Sequence, residues 1–188
     1  MYRFFESGIR GGNSHVGKRY NKCNHPLVPG YDKSKPICID LDLDANNLYG
    51  HCTVQRLPHS MFKWCFDEDK LKEYLSRPES YWETSEEACV VEVDLEYPQE
   101  LHDTHNDYPL APEKLTIQES QVSKYCHQWL DDRNRKYTSS EKLVCHLGER
   151  IKYKVHIKTL AVYQRLGLKV TKIHRGITFK QVSLAWMK

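Results

Sequence analysis

From Ile37 the chain alternates strictly, with Ile37, Ile39, Leu41 and Leu43 on one face of an extended segment and Cys38, Asp40, Asp42 and Asp44 on the other. This period of two predicts a strand over 37–44 with three aspartates along one side. Like charges roughly 7 Å apart on a pleated face repel, so that face must meet water or cations. A second alternation, Val91, Val93 and Leu95 against Glu92, Asp94 and Glu96, predicts another acidic strand in the same sheet, its carboxylates turned to solvent. Val122, Tyr125, Cys126, Trp129 and Leu130 recur at helical spacing with Arg133, Arg135 and Lys136 near the end, which predicts an amphipathic helix packed on the sheet. Leu160, Tyr163 and Leu166 form a shorter stripe closed by Gly167, ahead of a strand carrying Ile173, Ile177 and Phe179 with Lys172 and Lys180 opposite. Gly8, Gly11 and Gly12, then Pro26, Pro29-Gly30 and Pro36, mark a turn-rich lead-in. The expected fold class is α+β.

Charge changes this picture more than composition does. The chain has 188 residues and a formal net charge of +3, but the charge is segregated. Residues 1–36 carry seven basic against two acidic side chains, residues 37–113 five against 18, and residues 114–188 sixteen against five. Solvated surface charge accounts for such a pattern, and so does a metal-dependent enzyme that holds a polyanion. No run reaches the roughly 18 apolar residues a membrane helix needs, and Met1 to Arg10 lacks the apolar core of a signal peptide, so a soluble intracellular protein is expected. The seven cysteines are scattered, odd in number and never spaced Cys-x-x-Cys, which reads as free thiols. His102, His105 and Asp107 could bind a transition metal in a nuclease or hydrolase, although Pro98, Pro109 and Pro112 around them indicate a loop.

The residues just after the first strand pattern are more specific. Asp44-Ala45-Asn46-Asn47-Leu48-Tyr49-Gly50 resembles the first polymerase motif of family B DNA polymerases, in the variant found in protein-primed enzymes of viruses and large self-synthesising DNA transposons. Ile9-Arg10-Gly11-Gly12 looks like the Tyr-x-Gly-Gly element joining exonuclease and polymerase parts in those enzymes, with Ile in place of Tyr. The stretches 57–64, 92–98, 102–113, 166–169 and 179–181 are also similar to transposon-type members, so the resemblance runs along essentially the whole chain.

The resemblance implies a partial polymerase palm, an antiparallel sheet with packed helices and an inserted helical segment. Residues 1–36 would be a basic Gly-rich linker, 37–113 the partial palm, 114–150 a basic helical insertion and 151–188 the helix–strand continuation. Asp44 would bridge two divalent ions, expected to be Mg2+, in nucleotidyl transfer. Asn47, Leu48 and Tyr49 would bind the incoming deoxynucleoside triphosphate, with the Tyr49 ring excluding a ribose 2′-hydroxyl. Gly50 replaces the usual Pro and removes a fixed φ. Arg10, Gly11, Gly12, Lys18 and Arg19 would hold DNA template and primer, and the insertion would meet a priming terminal protein at a nuclear or viral replication site. The sequence contains no exonuclease carboxylate set, no Lys-x-x-x-Asn-Ser-x-Tyr-Gly and no Asp-Thr-Asp. One carboxylate cannot organise two ions, so the chain is expected to be a fragment that does not polymerise DNA alone. The alternative is a noncatalytic nucleic-acid-binding remnant using Arg10, Lys18 and Arg19 on phosphates.

Overall fold

The computed structural model describes residues 1–11, 16–18 and 20–183. Its centre is a four-stranded antiparallel sheet built from β1 (Arg56–Cys65), β2 (Glu87–Glu96), β5 (Arg150–His156) and β6 (Lys169–Ser183), in the order β1-β6-β2-β5. The short strands β3 (Glu113–Thr116) and β4 (Glu141–Val144) form a separate hairpin. β1 and β2 both run antiparallel to β6, which lies between them, and β5 and β6 both run antiparallel to β2. The sheet is therefore two interleaved split β-α-β units. The first crosses over through α3 (Glu68–Leu75) and α4 (Glu79–Thr84), the second through α7 (Ile157–Arg165). The α+β class expected from the sequence is what the chain adopts.

Local sequence accounts for the helices. Asp67 caps α3 by accepting from the Lys70 N–H at 3.1 Å, Glu68 and Asp69 occupy the first turn, and Glu68 pairs with Lys72 at 2.8 Å. Leu71 and Tyr74 form its buried face. His156 caps α7 by accepting from the Lys158 N–H, and Gly167 ends the helix at φ +102°, a left-handed position where a side chain would also press on Leu101. α3 and α7 touch each other and cover one face of the sheet. There the missing side chain of Gly176 on β6 leaves room for Leu71. The opposite face is aromatic: Phe4 and Phe5 of α1 (Tyr2–Glu6) meet Trp64 at 5.1 Å, Phe62 at 5.8 Å and Phe179 at 6.2 Å.

Two strand expectations need correction. Residues 37–44 form no strand. Only Cys38 pairs, in a single bridge with Asn24, and Ile37, Ile39, Leu41 and Leu43 are all exposed, Leu43 at 82%. A strand forms only against a partner with continuous backbone pairing, and residues 21–24, which lie beside 38–40, supply only that one bridge. The alternation over 91–96 does belong to a strand, but β2 is central and covered on both faces, so Val90 and Glu92 are buried along with Val91 and Val93. Glu92 therefore does not face solvent.

Between β2 and β5 the chain leaves the sheet and returns. This excursion, 113–147, consists of the β3–β4 hairpin with α6 (Lys124–Asp131) carried between its strands. α6 is capped by Ser123, whose hydroxyl accepts from the Cys126 N–H, and ends at Asp131, ahead of Arg133, Arg135 and Lys136, with Asn134 turning left-handed at φ 54°. It does not pack on the sheet as expected; Tyr125 and Trp129 stay exposed, the latter under the Arg133 guanidinium at 4.0 Å. Arg150, 1% exposed, clasps the base of the excursion. Nε donates to the Ala111 carbonyl at 2.7 Å, Nη2 to the carbonyls of Leu110 and His146, and Nη1 to the Gly148 carbonyl and to His146 Nδ1. Tyr153 adds a bond to the Pro112 carbonyl at 3.2 Å.

Candidate functional site

The motif segment lies outside the sheet. Asp40 is held by the Asn21 amide and by Cys23 Sγ at 3.3 Å, while Asp42 and Asp44 are exposed. Asn47 takes a left-handed conformation, φ 51°, and starts α2 (Leu48–Thr53), so the chain turns from extended to helical within the motif. Gly50 lies in the first turn, where a Cβ would sit 2.5 Å from the Asn47 side-chain amide. A proline side chain here would crowd that amide. Leu48 is half exposed and Tyr49 is 88% exposed. Asp44, Asn47, Leu48 and Tyr49 are thus close in sequence on one accessible turn. No three His, Cys, Asp or Glu side chains among the described residues converge as a metal ion would require.

The amino-terminal residues have other partners. Arg10 donates to the Lys154 carbonyl at 2.6 Å and to the Gly8 carbonyl at 2.8 Å, and its guanidinium stacks 3.7 Å above the Tyr153 ring. It covers part of β5, an edge strand, in the way proteins shield unpaired edges. A phosphate would have to compete with these contacts. Gly11 has open space around it and Lys18 is exposed, whereas Gly12 and Arg19 lie outside the described residues. The His102/His105 pair sits in α5 (His102–His105), a single helical turn rather than a loop. Both imidazoles turn to Tyr97, His105 Nδ1 to its hydroxyl at 2.7 Å and His102 Nε2 to its carbonyl at 3.2 Å.

The charged cluster of the sheet was not foreseen. Glu92, 4% exposed, pairs with Arg175 Nε at 2.7 Å and with Lys154 Nζ at 3.2 Å. Burial alone would raise its pKa, but the hydrogen bonds and charges of Arg175 and Lys154 outweigh it and hold the carboxyl below its usual range. Two residues on, Asp94 accepts from the Lys152 N–H at 2.7 Å and from His174 Nε2 at 2.8 Å. Its burial is likewise outweighed, and its pKa is lowered. Arg175 also lies over Phe4 and Trp64, at 5.5 and 5.1 Å, tying α1 to the cluster. Glu92 is neutralised by the protein's own cations and Asp94 is engaged by two hydrogen bonds, so the cluster organises the sheet rather than presenting free ligands. The signal for Glu92 was in the sequence: it interrupts the apolar run Ala88–Val93, and a charge there must find a partner.

A crevice opens at the other end of the sheet, where β2 begins. Trp82, 2% exposed, is part of its wall, and the indole N–H has no hydrogen-bond partner. His156 is held neutral, its pKa pushed down to about 4 by burial and then by Lys158. No family model, no curated protein and no solved structure matches the chain.

Proposed function

We propose that the chain is the part of a protein-primed family B DNA polymerase that carries the first polymerase motif. The observation that carries this reading is the turn itself: Asp44 and Tyr49 stand accessible on either side of a left-handed Asn47 that starts a helix, the extended-to-helical transition the motif implies. An antiparallel sheet with helices on one face accords with it. In the complete enzyme Asp44 would be a ligand of Mg2+, Asn47 and Leu48 would lie near the triphosphate, and Tyr49 would meet the sugar. The donors around Asp44 do not suffice for that metal pair, since no further carboxylates converge on it among the described residues. Tyr125 and Trp129 on the excursion give a priming protein an aromatic surface to meet. No helix among the described residues is long and apolar enough to cross a membrane.

A second reading, a noncatalytic nucleic-acid-binding remnant, is favoured by one observation: residues 150–183 hold nine Lys or Arg and no Asp or Glu. Lys169, Lys172 and Lys180 on β6 are exposed. Both readings expect primed-template DNA to bind with an affinity that falls steeply with salt. They part on metal dependence. Retention of a deoxynucleoside triphosphate that requires Mg2+ and is lost in Asp44→Ala supports the polymerase reading, and salt-sensitive binding indifferent to Mg2+ supports the other. DNA binding that is absent at low salt removes both. Nucleotide incorporation by the chain is expected to equal the Asp44→Ala control.

A further inference from the structure

The base of the excursion holds a histidine that plays no part in the polymerase reading. His146 lies in the turn between β4 and β5, its side chain is 27% exposed, and both of its ring nitrogens are engaged. Nδ1 receives two donors, Arg150 Nη1 at 3.0 Å and the Gly148 N–H at 3.2 Å. Nε2 lies 3.2 Å from Glu113 Oε2, a carboxylate oxygen that can only accept. One tautomer satisfies all three contacts: the neutral ring with its proton on Nε2. Gly148 takes part by having no side chain, since a Cβ there would lie 3.1 Å from Nδ1.

The partners of the ring stand on opposite sides of a structural boundary. Glu113 is the first residue of β3 and faces Val144 across the hairpin, so the Glu113–His146 pair lies within the excursion. Arg150 is the first residue of β5, is buried, and belongs to the sheet. A proton added at Nδ1 would face an N–H and a guanidinium with no acceptor between them, while Nε2 would keep its carboxylate. The imidazolium therefore holds Glu113 and repels Arg150, and the break falls between excursion and sheet. Glu113 and Arg150 are the charged groups that act on the ring, and Tyr97, Tyr153 and Cys145 stand around the same guanidinium. Burial, and then Arg150, hold the ring below its ordinary pKa against the opposing pull of Glu113.

We propose that His146 is a proton-operated latch: the neutral ring completes the Arg150 clasp and holds the excursion to the sheet, and the protonated ring leaves the clasp with Glu113 and frees it. What the latch governs is the placement of α6, with its exposed Tyr125 and Trp129, relative to the sheet. The contacts of the neutral ring are complete above the ordinary value of 6.5 and are lost as pH falls through the lower folded value. None of Asp44, Asn47 or Tyr49 takes part, so the proposal and the polymerase reading stand or fall separately.

The test is amide hydrogen exchange of the whole chain at pH 7 and pH 5, each corrected for the intrinsic pH dependence of exchange. Protection over β3 and β4 is expected to fall about tenfold more than protection over β2 and β6, which report the sheet itself. His146→Gln keeps an acceptor for Arg150 and an N–H for Glu113 but does not titrate, so in that variant hairpin and sheet should lose protection together. A hairpin that loses no more protection than the sheet, or one whose extra loss persists in His146→Gln, overturns the proposal. Ring ¹⁵N shifts of the unsubstituted chain give a second reading that does not depend on the variant folding. A proton on Nε2 at pH 7 is expected, and one on Nδ1 overturns the proposal.

Discussion

Glu92 and His156 lie on neighbouring strands, and each adds stability that acid removes. For Glu92 the folded pKa is lowered, so its contribution is complete above the ordinary value of 4.5 and is lost as pH falls through the folded value. For His156 the unfolded ring titrates near 6.5 and the folded ring near 4, so stability declines as pH drops through that window, by on the order of 2–3 kcal/mol. Denaturant unfolding at pH 7 and pH 4.5 should therefore show a loss that shrinks in His156→Gln. Were the two pH dependences identical, the ring would not be the neutral cap described. Glu92→Gln should cost about 2–4 kcal/mol at pH 7, because it leaves Arg175 and Lys154 facing each other without their carboxylate. At this scale the sequence was legible where chemistry is local: the Gly167 stop follows from residue type and spacing. It was less so for Arg10, a charge near glycines in sequence whose partner, the Lys154 carbonyl, is 144 residues away.

Arg150 shows how one side chain can set the position of an element. Its donors reach carbonyls on both sides of the excursion, so the incoming and outgoing chains are joined at a single guanidinium. Arg150→Met would strand those buried carbonyls, each worth roughly 1–3 kcal/mol when unsatisfied. Hydrogen exchange should then show the β3–β4 hairpin and α6 losing protection before β2 and β6 do. Equal loss across the chain would mean that the clasp supports the sheet rather than the excursion. Helix and strand periods read well from sequence for α6, α7 and β6, whose apolar positions have neighbours to pack against or a cap to start from. The same logic failed at 37–44, since alternation states which residues share a face and not whether a partner strand is present. β1 was missed for the converse reason, its pattern being blurred by Pro58 and by the register shifts around Met61, which has φ 58°.

For the molecule as a whole, the excursion and the sheet are largely separable in their packing, because among the described residues α6 has no extensive contact with β2 or β5 and β3 and β4 pair with each other apart from the main sheet. Replacing residues 117–140 by an Asn-Gly turn closes the hairpin between Thr116 and Glu141, which already face each other. The shortened chain should keep a single cooperative unfolding transition with a Tm within a few degrees of the parent. A collapse to a non-cooperative transition would show that α6 supports the core after all. The α+β class was legible from mixed periodicities, whereas the strand order was not, since it depends on pairings between segments up to 127 residues apart, Arg56 with Ser183 being the widest.

That strand order has a consequence for synthesis. β6 lies between β1 and β2, so until its last residues emerge from a ribosome neither partner can reach the other, and the nascent chain exposes the apolar edges of both. A polypeptide stopped before Lys169 retains at most the β2–β5 pair, with the aromatic face around Phe4 and Trp64 deprived of Ile177 and Phe179. A chain stopped there would thus be aggregation-prone rather than a smaller folded unit. Closure of the sheet waits for β6 by topology alone.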